Sequence, residues 1–461
     1  VRRAAGLLAA LALLGALILG ARWLWVATSV GAGFAAKVTC SLVFVSGQPA
    51  RDVLDDYVLR EVSPLGPVLE VEVEGRQVVS RVLGVTRARA VHRPGLGCTQ
   101  LYGDGAPTPV ALPPPRALDP SLPWPRGRAG PTAPPPPAVQ AAIDRAFAEP
   151  GAPDGYRRQT RAIVVARRGR LVAERYAPGY GPATPMLSWS MAKSVIATLV
   201  GLADEDGLLE LRAPAPVPEW RGDPRSAITL DQLLRMSSGL RFDESYGPTS
   251  DASVMLFARP DVAAFAAAMP LDAPPDRVWS YSSGTTNLVS RTLRDAVGGD
   301  VAALAGFARR RLFDPADITS ARLEVDASGT PIGSSFVFMT ARDWARFGEL
   351  HRRGGVWRGR RVLPEGWVEY VTTPTPAALR GNYGAHWWLN AGSHDGELPW
   401  PSLPTDLFVA SGYSGQYVMV IPSAELVVVR LGLSVPSESP DQHGVSALVA
   451  ELIDFYGGDG P

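Results

Sequence analysis

Ser190 and Lys193 are the residues whose types and spacing most directly suggest chemistry. A serine hydroxyl is a weak nucleophile until a neighbouring base takes its proton, and a buried lysine can lose its charge toward neutral pH. Residues three apart on a helix share a face, so the hydroxyl and the amine of Ser190-Met191-Ala192-Lys193 can touch. Arginine could not stand in for the lysine, because it stays protonated in proteins. The chain uses arginine almost throughout and has lysine only at Lys37 and Lys193, so a lysine here implies a need for something arginine lacks. Ser-x-x-Lys is nevertheless a short pattern, and a helix-capping serine followed by a snorkelling lysine has the same spelling.

Two later segments add context. Val278-Trp279-Ser280-Tyr281-Ser282-Ser283-Gly284 ends in small residues before a helically spaced run, residues 285–293, which puts Tyr281 on a loop. A phenol beside a cationic lysine can shuttle a proton to a leaving group, whereas a core tyrosine with a local hydrogen bond is the plainer alternative. Ser411-Gly412-Tyr413-Ser414-Gly415-Gln416 runs directly into an apolar strand, residues 417–421. Glycines before a strand let a substrate approach the edge backbone. The N–H of Gln416 with that of Ser190 would form an oxyanion hole, and an ordinary glycine-rich turn fits the same residues.

The surrounding elements must position these groups. Val195, Ile196, Leu199, Val200 and Leu202 continue to Gly207 and predict a helix whose first turn carries Ser190 and Lys193. Residues 161–166 and 171–176 flank Arg168-Gly169 as a hairpin, and residues 416–421 and 426–431 flank Pro422-Ser423 as another. Residues 445–456 read as a closing helix. Strands at both ends of a segment with helices between predict an α+β domain, an antiparallel sheet built from both termini and flanked by helices, over residues 138–461.

The 45 basic and 45 acidic residues balance, so no net field draws in nucleic acid, and none is expected as a partner. Arg2 and Arg3 precede an apolar run, residues 4–21, followed by Arg22, Trp23 and Trp25. This predicts a membrane helix within residues 1–36, with its N-terminus cytoplasmic and the catalytic domain periplasmic or otherwise extracytoplasmic. A cleaved signal peptide, with Gly31, Ala32 and Gly33 as processing positions, is the rival and leaves the export direction unchanged. Residues 37–111 read as a small strand-rich region, in which Leu69, Val71 and Val73 alternate with glutamates. Its Cys40 and Cys98 are candidates for a disulfide or two buried thiols. Residues 112–137 are proline-crowded and read as a linker, or as a strap packed on the catalytic domain.

The order and content of the three chemical segments resemble the β-lactamase and penicillin-binding-protein superfamily, specifically the class C-like serine hydrolases that include esterases and 6-aminohexanoate-dimer hydrolases. Residues 233–240 (Leu-Leu-Arg-Met-Ser-Ser-Gly-Leu), 339–348 and 383–388 carry the likeness further, over residues 138–456. The resemblance implies an acyl-enzyme on Ser190, proton transfer by the coupled pair Lys193 and Tyr281, an oxyanion hole, and no metal or organic cofactor. Two positions depart from the lactamase pattern. Ser283 stands where the family's Tyr-x-Asn motif has asparagine, which is similar to the nylon-oligomer branch. Tyr413-Ser414-Gly415 stands in place of Lys-Thr-Gly, removing the cation that favours a drug's carboxylate. An ester or amide is therefore the expected substrate rather than a penicillin. Tyr246 and Asp251 are candidate substrate contacts or plain loop polar residues.

A Ser-His-Asp hydrolase lacks a G-x-S-x-G elbow around its serine, and His92, His351, His386, His394 and His443 form no H-E-x-x-H zinc motif. An inactive cell-envelope binding protein of the same fold, and a D,D-peptidase or β-lactamase, remain as alternatives.

Overall fold

The computed structural model describes residues 2–103, 105–151, 156–393, 395–434 and 443–457; His394 lies outside them. Helix α1 runs unbroken over Arg2–Phe44, and among the described residues it is the one helix long and apolar enough to cross a membrane. It therefore passes straight through position 36, where the sequence suggested that the anchor ends. Its two halves have different surroundings: Leu8 is 68% and Trp25 56% exposed, whereas burial sets in at Ala27 and holds to Leu42.

The buried half has two working faces. Ala32, Ala36 and Cys40, one turn apart, pack on a four-stranded antiparallel meander. Its strands are β1 (Leu69–Glu74), β2 (Gln77–Val82), β3 (Thr86–Arg93) and β4 (Gly97–Leu101). Val30, Phe34 and Val38 enter the main core instead. The small residues at 31–33 serve this packing. A Cβ on Gly33 would lie 1.8 Å from the Phe257 carbonyl oxygen, and one on Gly31 2.4 Å from Leu65. A processing cut there would sever a buried helix. Cys40 on α1 and Cys98 on β4 are joined as a disulfide, with Cα atoms 6.0 Å apart.

Residues 105–136 hold no helix and only an isolated bridge between Pro123 and Ala129. They are nonetheless fixed. Trp124 is 3% exposed and its Nε1–H donates to the Arg342 carbonyl at 3.1 Å, and Arg346 donates to the Pro125 carbonyl at 3.0 Å. Arg346 also donates to the Gly127 carbonyl at 2.6 Å and the Arg342 side chain to that of Arg128, so the segment's otherwise unpaired carbonyls are satisfied and it is a strap rather than a free linker.

The catalytic body is a six-stranded antiparallel sheet in the order Trp388–Leu389, Phe408–Gly412, Gln416–Ile421, Leu426–Gly432, Thr160–Arg167, Arg170–Tyr176. Both chain ends of the domain thus meet in one sheet. Its strands read as continuous apolar runs because both faces are covered. Ile163, Val165, Met419 and Val428 face the helices Pro137–Phe147 and Val445–Gly457. Val164, Val418, Val420 and Val427 face the large core that contains the helix Ala341–Arg352.

Candidate active site

The chain reaches Ser190 through a strained corner. Trp189 has φ +45°, a left-handed conformation that costs a non-glycine residue roughly 1–3 kcal/mol. Surrounding contacts hold it there. The indole is 3% exposed, donates to the Tyr57 hydroxyl at 3.1 Å, stacks on Phe34 at 6.4 Å and meets Phe336 at 5.6 Å. Ser190 then lies in a 3-10 turn, Trp189–Met191, and Lys193 is the second residue of the helix Ala192–Glu205. The sequence suggested one α-helical turn for both; the structure divides them between a 3-10 turn and the helix that follows it.

Lys193 Nζ donates to Ser190 Oγ at 3.0 Å, Ser283 Oγ at 3.1 Å and the Ser334 carbonyl at 3.0 Å, so all three ammonium protons have acceptors. Burial brings this amine down to about 8, against the charge of Glu244, which pulls the other way. Its Nζ lies 4.8 Å from the centre of the Tyr281 ring. Burial pushes the Tyr281 phenol up from its ordinary value, the Glu244 charge adds to this, and a hydrogen bond with Ser190 opposes it. The ring is wedged by Trp388 at 5.3 Å and Tyr383 at 5.8 Å.

Nothing in the sequence marks out Glu244 within Phe242-Asp243-Glu244-Ser245-Tyr246. It accepts the N–H of Ser283 and the hydroxyl of Tyr246, each at 2.7 Å, and the hydroxyl of Ser283. Ser283 and Tyr246 are thereby brought to the site. Asp251 acts one step further out, where its carboxylate accepts the Asp243 N–H at 2.9 Å and ties down the loop that carries Glu244.

Gly412 is the residue that abuts the nucleophile, since a Cβ on it would lie 2.2 Å from the Ser188 carbonyl oxygen and 3.0 Å from the Ser190 nitrogen. Gln416 pairs with Gly412 across the ladder. Its side chain turns inward, donating to the carbonyls of Tyr413 and Ser414 at 3.2 Å and accepting the Gly432 N–H at 3.1 Å. The turn itself needs positive φ at Ser414 (58°) and Gly415 (78°). The Tyr413 ring stacks on Tyr246 and stands edge-on to Trp189, both at 5.7 Å. Its hydroxyl donates to Glu61 at 3.0 Å.

Glu61 and Tyr57, whose hydroxyl lies 3.0 Å from Ser414 Oγ, come from the stretch between α1 and the meander, where the sequence showed no catalytic signature. Burial raises the Glu61 carboxyl to about 7, partly offset by the Tyr413 bond. An acid with a raised folded value contributes stability that is complete below about 4.5 and lost as pH rises through about 7. Glu61→Gln, which does not titrate, is therefore expected to gain thermal stability relative to wild type between pH 5 and pH 8. Parallel pH dependence of the two melting temperatures would remove this account.

Among the described residues no group of His, Cys, Asp and Glu is arranged to hold a metal. His351 and His386 are buried with both ring nitrogens bonded in the core, His386 to the Leu234 carbonyl and Thr286 at 2.7 and 3.0 Å. His443 bonds the Tyr417 hydroxyl at 2.8 Å.

An antiparallel sheet flanked by helices, with a serine and a buried lysine in contact at its edge, defines the β-lactamase and penicillin-binding-protein class of serine hydrolase. The chain belongs to the beta-lactamase family, whose profile matches residues 143–449. It is 26% identical over 313 residues to the 6-aminohexanoate-dimer hydrolase of Paenarthrobacter ureafaciens, covering 62% of this chain and 76% of that protein. Among solved structures it is similar to a putative 6-aminohexanoate-dimer hydrolase from Bacillus anthracis, with TM-score 0.53, 22% identity, and 65% and 80% of the two chains covered. It is also similar to a penicillin-binding protein homolog from Caulobacter crescentus, with TM-score 0.52, 17% identity, and 69% and 99% covered. Phe34, Tyr57 and Glu61 lie outside the span matched by the family profile.

Proposed function

We propose that this chain hydrolyses an ester or amide through an acyl-enzyme on Ser190. The observation that carries the reading is the 3.0 Å contact between Ser190 Oγ and the Nζ of a lysine only 1% exposed. Burial favours the uncharged form of both candidates, which makes the amine available as a proton acceptor and keeps the phenol protonated. Lys193 thus takes the Ser190 proton as Oγ attacks the carbonyl carbon, and Tyr281, as a neutral phenol, relays a proton to the departing alcohol or amine. The developing oxyanion is held by the N–H groups of Ser190 and of the strand end at Gly412 and Tyr413. Water then attacks the acyl ester, releasing the acid and restoring the Ser190 hydroxyl. Tyr413, whose ring stacks on Tyr246, is bonded to an acid, Glu61, which favours a substrate without a carboxylate at that edge.

A fluorophosphonate probe, followed by peptide mass mapping, should place its adduct on Ser190, and a panel of short esters, linear amides, D-amino-acid peptides and lactams should show turnover of the first two. No adduct and no turnover would leave the inactive binding-protein reading in its place. Lys193→Arg is expected to lower kcat/KM by ~10²–10⁴-fold, the usual contribution of a positioned proton acceptor, while leaving the fold intact. In the wild type, kcat/KM should climb with pH and level off above about 8, where the Lys193 amine is neutral. A flat profile from pH 6 to 9, or an active arginine variant, would assign the base elsewhere.

The exposed apolar half of α1 supports a membrane anchor, with Arg2 and Arg3 on the cytoplasmic side and the catalytic domain outside the cytoplasm. The Cys40–Cys98 disulfide fits an oxidising compartment.

A further inference from the structure

The same helix that is exposed and apolar up to Trp25 packs against the nucleophile corner at Phe34, whose ring stacks on Trp189 at 6.4 Å. Nine residues of α-helix separate Trp25 from Phe34, a rise of roughly 13 Å. No loop or hinge intervenes, because α1 is continuous and its second half is buried. With Trp23 and Trp25 at a bilayer interface, Phe34 stands roughly 13 Å above it, and the corner that carries Ser190 is fixed to that turn of the helix.

A second feature lies at the level of the interfacial tryptophans. Ser80 on β2 donates to the Ala32 carbonyl on α1, while His92 at the far end of β3 stacks on Phe44. The β2–β3 turn therefore points back toward the exposed half of α1. From Ser80 to Leu83 is roughly 10 Å of strand, and from Ala32 back to Trp25 is also roughly 10 Å of helix. The turn Leu83-Gly84-Val85 presents Leu83 at 53% and Val85 at 69% exposure, and the neighbouring Val68, whose carbonyl accepts the Leu83 N–H, is 38% exposed. Large apolar side chains that open to water and level with an interfacial tryptophan are suited to a lipid headgroup layer. On the pocket side, Trp279, Tyr281 and Trp388, packed over the buried Tyr383, form an aromatic wall, and Val278 and Leu379 beside it are 49% and 83% exposed.

We propose that the enzyme is seated on the bilayer by α1 and the Leu83–Val85 turn, and that its substrate is an amphiphile held in that same bilayer, with the scissile ester or amide in its head portion. The proposal rests on the hydrolase reading of Ser190 and deepens it by naming the substrate class. An apolar portion of such a substrate has the aromatic wall to lie on, and a bond carried at headgroup height needs no extraction of its tail.

The test uses the full chain reconstituted in phosphatidylcholine vesicles and two probes with one fluorophosphonate warhead. One probe is water-soluble, and the other is linked to the head group of a distearoyl lipid in the same vesicles. The lipid-linked probe should modify wild-type Ser190 faster, by about tenfold at equal total concentration. Inserting Glu-Ala-Ala-Ala-Arg-Ala-Ala between Trp25 and Val26 lifts the domain by about 10 Å while nearly keeping the helix face. That variant should label with the soluble probe within about twofold of wild type and with the lipid probe at least tenfold more slowly. Leu83→Glu combined with Val85→Glu should lower only the lipid-probe rate, about fivefold. An insertion variant that keeps the wild-type lipid-probe rate, or a wild type that prefers the soluble probe, overturns the proposal while sparing the hydrolase. Absence of labelling by both probes overturns the hydrolase reading itself and the proposal with it.

Discussion

Replacing Ser190 with alanine is expected to lower kcat/KM by ~10⁴-fold or more, because the acyl-enzyme route is lost altogether rather than slowed. What survives would be the contribution of the oxyanion-binding N–H groups and of substrate positioning acting on a water molecule. The substitution should cost little stability. Ser190 is only partly buried, and its loss leaves Lys193 Nζ still donating to Ser283 and to the Ser334 carbonyl. The check is kinetic and structural together: turnover of the best ester from the panel, with an unchanged melting curve. Retention of more than about a hundredth of wild-type turnover in a well-folded variant would exclude Ser190 as the nucleophile.

The largest effect on stability is expected at Glu324. The Lys37–Glu324 ion pair is wholly buried, with both side chains at 0% exposure. Lys37 also donates to the Cys98 carbonyl at 2.7 Å, and Ser41 donates to Glu324 at 2.8 Å. Glu324 additionally takes the Cys98 N–H at 2.5 Å. A Cβ on Gly97 would lie 2.4 Å from its Oε1, so this approach needs glycine. One carboxylate thereby ties together α1, the meander strand that holds Cys98, and the catalytic body. Glu324→Ala leaves the ammonium of Lys37 buried without its counter-charge, at a cost of about 3–5 kcal/mol. Pairing Lys37→Met with Glu324→Leu removes both charges at similar volume and should recover most of that loss. Equilibrium denaturation of the full chain in detergent measures both. A single variant within about 1 kcal/mol of wild type would show the pair to be dispensable.

The two lysines illustrate what a sequence can and cannot say. Scarcity in an arginine-rich chain singled out both positions, but only Lys193 followed a serine by three residues at the head of a predicted helix. The partner of Lys37 lies 287 residues away, and no local pattern announces it. The same limit hid Glu244, which reaches Ser283 across 39 residues, and Glu61, which meets Tyr413 across 352. The hairpins at both ends of the catalytic domain were legible because each closes locally, through Arg168-Gly169 and Pro422-Ser423. That they join in one sheet was expected from their places at the two ends of the domain, but the register of residues 426–432 against residues 160–167 is hidden by chain distance. Gln416 marks a third limit. Its position before a strand pointed to the oxyanion hole, yet the backbone resting on Ser190 is that of Gly412, and which residue of a turn meets a distant helix is a matter of docking.

By itself the sequence determined the local chemistry: a serine and an ionisable lysine three residues apart, a tyrosine on a loop, a glycine-rich turn feeding a strand, and an apolar N-terminal helix. Each of these follows from short-range spacing and from what the residue types can do. Only the tertiary structure decided how far the amine is moved toward neutrality, since that depends on burial. It also decided that α1 runs past residue 36 into the core, and that residues outside the family's span wall the site. Those outcomes rest on desolvation and on contacts between segments hundreds of residues apart, which no local pattern encodes.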